Sequence, residues 1–238
     1  MFGKLLKRLA LSAVAADLHI PENPVSRFLE LSHLRQLLQR LEVDCVLDVG
    51  ANQGQFASEL RRIGFDGQIV SFEPIEREFA VLKARFREDP KWQGFQCALG
   101  RENKTTEMNV FVDLTVMSSL LAPVGKQKGV ETQGVEVRRL DGLLPGILAS
   151  NPAANIFLKM DTQGYDLEVF EGARGILERV RGLQSEISVR PLYQGMPHYL
   201  EALSLYENAG FDLSDLSIVS RTSDGDLQEM NCFMHRRA

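Results

Sequence analysis

The feature that most restricts the fold of this chain is an alternation of short, wholly apolar runs with longer amphipathic ones. Cys45 to Val49 is followed by a helical pattern from Gln55 to Ile63, and Gln68 to Phe72 by one from Glu76 to about Phe86. Trp92 to Leu99 then gives a third apolar run. After an interruption the rhythm returns: Asn155 to Met160, a helical pattern from Leu167 to about Arg179, Leu183 to Val189, and a helix from His198 to Ala209. Two final strands are expected around Phe211 to Val219 and Leu227 to His235. Strands apolar on both faces belong in a sheet covered on both sides, and an intervening helix supplies the crossover that parallel strands need. The expected class is therefore α/β, with a mostly parallel sheet, helices on both faces and an antiparallel C-terminal strand.

The interruption follows Gly100. Thr106 to Val112 and Val135 to Leu140 read as extra strands around a stretch with Pro123, Gly125, Gly129 and Gly134, expected to be a mobile loop. Ahead of the alternation, the apolar positions from Val25 to Leu41 predict a helix ending near Glu42, separated by Pro21 and Pro24 from an amphipathic helix over Met1 to Ala16. That first helix is expected to pack on the protein's own body or on a second subunit, with a membrane-surface contact or a cleaved signal as alternatives. No internal repeat or linker divides the rest. Residues 1–42 therefore form a helical extension and residues 43–238 one domain.

Composition excludes several functions. The 238 residues hold 27 Lys and Arg against 32 Asp and Glu, a net charge of −5, so no basic footprint for a nucleic acid is present. No apolar run approaches the roughly 18 residues of a membrane span. Cys45, Cys97 and Cys232 are far apart and form no CxxC or Cys/His ligand spacing, which suggests buried thiols in a reducing, cytoplasmic setting.

The most informative segment is the turn after the first strand, Asp48-Val49-Gly50-Ala51-Asn52-Gln53-Gly54. In open α/β sheets ligands bind beyond the carboxyl ends of the strands, where glycines admit close backbone approach and helix amides face the ligand. The dinucleotide fingerprint G-x-G-x-x-G is missing, which disfavours an NAD-type oxidoreductase. Asp48 would repel a pyrophosphate but can accept hydrogen bonds from a cationic amino group, which points to S-adenosylmethionine. Glu73 ends the next strand, roughly 20 residues on, where an acid grips ribose hydroxyls.

The runs VLDVGANQGQFA, SFEP, CALG and LKMDTQGYDLEVFEGA resemble the FkbM family of S-adenosylmethionine-dependent methyltransferases, over about Val46 to Arg237. The resemblance implies a class I, Rossmann-like methyltransferase sheet and methyl transfer, commonly to an oxygen of a saccharide or other small metabolite. It places the cofactor's methionine end near Asp48, Gly50 and Asn52, its ribose on Glu73 and its adenine by Ala98 and Leu99, and Gly54 of the same turn is also expected to bind the cofactor. CALG lacks the acid that many methyltransferases of this fold use for the adenine amine. The resemblance also brings Ser118 and Ser119 close to the cofactor.

An alcohol loses its proton reluctantly, so a base or a metal ion would help. Asp161, at the end of an apolar strand, is the first candidate; its competing role is to cap the helix beginning near Asp166. Glu186 is costly inside an apolar run unless paired, and His198 has the right intrinsic basicity. Two acids flanking one cleft could hold a divalent ion, but the spacing alone does not support one, and the metal is left open. Tyr193 is a candidate for the wall of the acceptor pocket. The rival from another class is a non-catalytic protein that keeps the cofactor fold and acts as a structural or regulatory partner.

Overall fold

A computed structural model describes residues 22–125, 127–149 and 151–237. The helix expected over Met1 to Ala16 lies outside the described residues. The first element is helix α1 (Glu22–Arg40), followed by β1 (Cys45–Val49), α2 (Gln55–Arg62), β2 (Gln68–Phe72), α3 (Glu76–Arg85) and β3 (Trp92–Phe95). Strands β4 (Ala98–Leu99), β5 (Lys104–Phe111) and β6 (Val130–Arg138) come next, then α4 (Leu140–Ile147), β7 (Ile156–Met160), α5 (Asp166–Gly172) and β8 (Val180–Ser188). The chain ends with α6 (Tyr199–Asn208), β9 (Phe211–Arg221) and β10 (Leu227–Arg236).

Seven strands form one sheet in the order β3-β2-β1-β7-β8-β10-β9. Neighbours from β3 to β8 run parallel and β10 runs antiparallel to both β8 and β9, as the apolar runs and the closing hairpin predict. The chain starts in the middle, winds outward through β2 and β3, and returns to place β7 against the other side of β1. The carboxyl ends of β1 and β7 therefore splay apart at the topological switch point, where a crevice is expected.

Each face of the sheet has its own core. One buries Leu47, Val49, Leu158 and Met160 with Leu144 of α4, Phe170 of α5 and Tyr206 of α6. The other buries Val46, Ile69, Phe157 and Phe233 with Leu34, Leu37 and Leu38 of α1, Leu60 of α2 and Leu82 of α3. Helix α1 is thus integral to the second core. Glu30 fastens it further, accepting hydrogen bonds from Ser217 Oγ at 2.7 Å and Asn231 Nδ2 at 3.4 Å.

Several expectations are corrected. Helix α1 begins at Glu22, ahead of the apolar pattern expected from Val25, because Pro24 fits in its first turn, where a missing N–H costs nothing. The run from Trp92 to Leu99 is two strands, because β3 pairs with β2 only as far as Phe95 and the chain then crosses to pair Ala98 and Leu99 with Val137 and Arg138 of β6. The helix expected to reach Arg179 stops at Gly172 and continues as a 3-10 turn over Arg174–Arg179. Gly134 lies inside β6 opposite Glu107, so pairing with β5 claims the end of the expected loop. This small sheet, in the order β4-β6-β5, stands over the carboxyl ends of β1 and β2 and carries its own apolar cluster of Ile75, Met108, Val110 and Val135.

Candidate active site

The site is built where β1 and β7 part. Asp161 N donates to Val49 O at 3.1 Å, holding the two strand ends together for one residue more. Gly50 follows with φ 74°, and a Cβ there would lie 1.9 Å from Asp161 O, so both the dihedral and the space demand glycine. Asn52 also adopts the left-handed conformation, at φ 46°, which Asn tolerates better than most residues. Its Nδ2 donates to Thr115 Oγ1 at 3.2 Å, tying the turn to the segment between β5 and β6. Gly54 does not line the cleft. It packs under the turn, where a Cβ would meet Phe86 and Leu82.

Asp48 is beneath the cleft rather than in it. It is fully buried, with Oδ1 3.1 Å from the ammonium of Lys159, its register partner on β7. Lys159 also donates to Gly50 O at 3.1 Å and Val49 O at 3.4 Å, and lies 3.5 Å from Asp161 Oδ2. Burial opposes the charge on Lys159, but the carboxylates of Asp48 and Asp161 outweigh it and hold the pKa above the usual lysine value. With three donors and these acceptors around it, the ammonium is saturated. Asp48, expected to receive the cofactor's amino group, is thus placed beneath the cleft and beside Lys159 rather than in the cleft lining.

Glu73 lines the cleft at the end of β2. Its Oε2 accepts from Asn52 N at 2.7 Å and its Oε1 from Ile75 N at 2.8 Å, so two backbone amides aim the carboxyl group. Burial pushes its pKa up to about 7, against the pull of those two amides. Ala98 and Leu99 line the same end of the cleft with Phe72, Ile75 and Met108.

Asp161 faces the cleft, with its side chain 42% exposed. It does not cap the following helix. Nor does any other side chain; Asp166 instead fastens the loop to β8, accepting from Thr162 N at 2.9 Å, Ser185 Oγ at 2.7 Å and Glu186 N at 3.1 Å. Gln163 links the two candidate acids: Nε2 donates to Glu186 Oε2 at 2.7 Å and stands 3.4 Å from Asp161 Oδ1, while Oε1 accepts from Tyr193 OH at 3.1 Å. Glu186 itself lies behind Gln163, outside the cleft lining. Burial first, then the charges of Asp161, Glu229 and Asp166, raise its pKa well above the carboxylate range, so it favours the neutral acid.

His198 is not brought to the cleft. It is exposed at the N-terminus of α6, with its ring against Tyr199. Ser119 is fully buried, donating to Gln163 O at 2.7 Å and accepting from Leu121 N at 3.0 Å, and only Ser118 reaches the cleft. Tyr193 is buried behind Gln163, not in the cleft wall. Among the described residues no three His, Cys, Asp or Glu side chains come together to hold a metal ion, and no helix is long and apolar enough to cross a membrane.

These groups enclose a cavity of about 280 Å³ with two unlike ends. The apolar end lies by Phe72, Ile75 and Leu99, with Glu73 at its edge. The polar end lies under α1, by Arg27, Glu59, Lys159, Gln184 and Asn231. Sequence reasoning missed all five. Lys159 carried a readable signal, since a charge inside an apolar run needs a partner as much as Glu186 does.

Residues 48–213 match a known family, described as the methyltransferase FkbM domain. The chain belongs to the FkbM methyltransferase-domain family. It is also similar to a protein named Methyltransferase 1 from Beauveria bassiana (strain ARSEF 2860), 27% identical over 145 residues. That match covers 53% of this chain and 57% of the relative, so the FkbM chain spans little more than half the relative's length. Among solved structures, an rRNA methylase from Streptococcus thermophilus aligns with TM-score 0.49 at 10% identity, over 92% of this chain and 100% of that one. Magnesium protoporphyrin IX methyltransferase from Synechocystis PCC 6803, solved with bound S-adenosylmethionine, gives 0.49 at 10% identity, over 92% and 85%. Helix α1 and strand β10, which supply Arg27 and Asn231, lie outside the matched FkbM residues.

Proposed function

We propose that this FkbM-family protein transfers a methyl group from S-adenosylmethionine to a hydroxyl oxygen of a small molecule or saccharide. The observation that carries the reading is the pairing, in one cleft of a methyltransferase family member, of an amide-aimed carboxyl group at Glu73 with an exposed carboxylate at Asp161. The residues present fit the donor. Glu73 would take its ribose hydroxyls, the apolar walls at Ala98 and Leu99 its base, and Asp161 would stand by its sulfur. When bound, the donor supplies an electrophilic methyl group on a positively charged sulfur.

The chain's own residues then have two tasks. The cleft walls hold the acceptor in line and shut out water, which lowers the barrier by positioning. Asp161 accepts the hydroxyl proton; Lys159 and Gln163, one beside each carboxylate oxygen, fix its orientation. The buried thiols of Cys45, Cys97 and Cys232 support a cytoplasmic place for this chemistry.

Calorimetry with S-adenosylmethionine, followed by transfer of a labelled methyl group into a cell extract, tests the reading. Wild type should bind, Glu73→Ala should bind more weakly, and Asp161→Ala should bind normally while transfer falls about 10²- to 10⁴-fold. A wild type that binds no donor overturns the assignment. Binding without transfer to any component would instead favour a non-catalytic partner.

A further inference from the structure

The two edges of the seven-stranded sheet are built differently. At one, β3 is four residues long, and a short edge strand is one of the ways in which proteins keep an edge from recruiting another chain. At the other, β9 runs for eleven residues, with no Lys or Pro from Phe211 to Arg221 to blunt it, and among the described residues it pairs only with β10. Its register with β10 shifts towards both ends but is unbroken from Asp215 to Ile218. Within that stretch the Leu216 N–H donates to Asp215 Oδ1 at 2.9 Å, a side chain standing where a neighbouring strand would present a carbonyl oxygen.

The side chains agree with the backbone. Leu213, Leu216 and Ile218 pair with Met234, Cys232 and Met230, alternate residues of β10 on the face of the first core, yet each stays 41% exposed because the sheet ends there. A strand laid along β9 would continue that core. Helix α1 packs on the other face, where Ser217 Oγ donates to Glu30, and in the same turns Val25, Phe28 and Leu29 are exposed, Phe28 at 70%. A few strand residues bury too little by themselves, since specific interfaces remove roughly 1,200 Å² or more from water. The apolar stripe on α1 supplies further area beside the edge.

Charge decides the occupant. A basic segment would find little to pair with, because Asp212 is already paired with Arg237 and Asp215 lies 3.9 Å from His33. A second β9 fits better. Set antiparallel about a two-fold axis through Leu216, it places Leu216 against Leu216 and Asp215 against Ser217, and no like charges oppose each other. Such self-complementarity is what a closed two-fold contact needs.

We propose that β9 is the interface for a second copy of this chain, the two sheets joining edge to edge through an antiparallel β9 pair centred on Leu216. The inference is independent of the methyl-transfer reading.

Sedimentation equilibrium of the full chain tests it. Wild type should reach twice the monomer mass at micromolar concentration. Leu216→Lys and Leu216→Glu each set like charges on the axis and should weaken the dimer tenfold or more. Mixing the two variants should restore a heterodimer to within about threefold of the wild-type affinity, which also shows that both are folded. A monomeric wild type overturns the interface; if its Leu216 amide then exchanges slowly with solvent, residues 1–21 of the same chain cover the strand. Single variants that stay dimeric overturn it as well, because the copies then meet elsewhere. A mixture that stays monomeric overturns the two-fold pairing at Leu216.

Discussion

The two ends of the cleft are assembled by opposite means. The end at Glu73 is made by the backbone: a tight turn, a glycine forced by the approach of Asp161 O, and a carboxyl group aimed by the amides of Asn52 and Ile75. The end under α1 is made by side chains meeting across the fold, Arg27 with Glu59 at a separation of 32 residues and Asn231 with Glu30 at 201. Construction from main-chain amides and carbonyls fixes geometry through the backbone. Construction from side chains fixes it through charge, and so depends on every partner staying in place.

The comparison breaks most easily at Gly50. Gly50→Ala puts a methyl group into the backbone of β7 at a dihedral disfavoured for Ala, so a loss of about 4 kcal/mol or more is expected in urea unfolding. A loss under about 1 kcal/mol would show that the two strand ends can part. At the other end, Lys159→Met strands the buried charge of Asp48 and should cost about 3 to 5 kcal/mol, largely recovered in the double variant with Asp48→Asn. No recovery would mean that Lys159 stabilises the carbonyls of Val49 and Gly50 more than it does Asp48.

A smaller effect distinguishes the ends by pH. Glu73, raised to about 7, is ionised and a strong acceptor only above that value. Donor affinity should therefore rise as pH climbs from 6 to 8, and Glu73→Gln should flatten the profile and cost roughly 2 kcal/mol at pH 8. A flat wild-type profile would remove Glu73 from the ribose. Smallest of all, His198→Ala should change stability by no more than about 0.5 kcal/mol and leave methyl transfer intact, as expected of an exposed helix start.

The same contrast explains what was legible in the sequence. The sheet and its closing antiparallel strand could be read because each strand announces itself as an apolar run. Gly50, Glu73 and Asp161 could be read because their chemistry lies within a few residues of a strand end. Arg27, Gln163 and Asn231 could not, since nothing nearby in the chain distinguishes a cleft residue from a solvated one. His198 misled because a basic side chain suited to proton transfer says nothing about where a helix start will point. The burial of Asp48 could not be read either, because its neighbour Lys159 on β7 lies far along the chain.

The segment from Thr115 to Leu121 spans the two banks of the cleft, joined to the β1 turn through Asn52 and to the β7 loop through Gln163. Each link is a single hydrogen bond, with a net contribution of about 1 kcal/mol. Its apolar support belongs to the small sheet, apart from the two cores that keep the chain folded. Mutation at its exposed positions, such as Val116, can therefore remodel this stretch at little thermodynamic risk, leaving the contour that a guest molecule meets free to drift while buried Ser119 and the scaffold beneath stay constant.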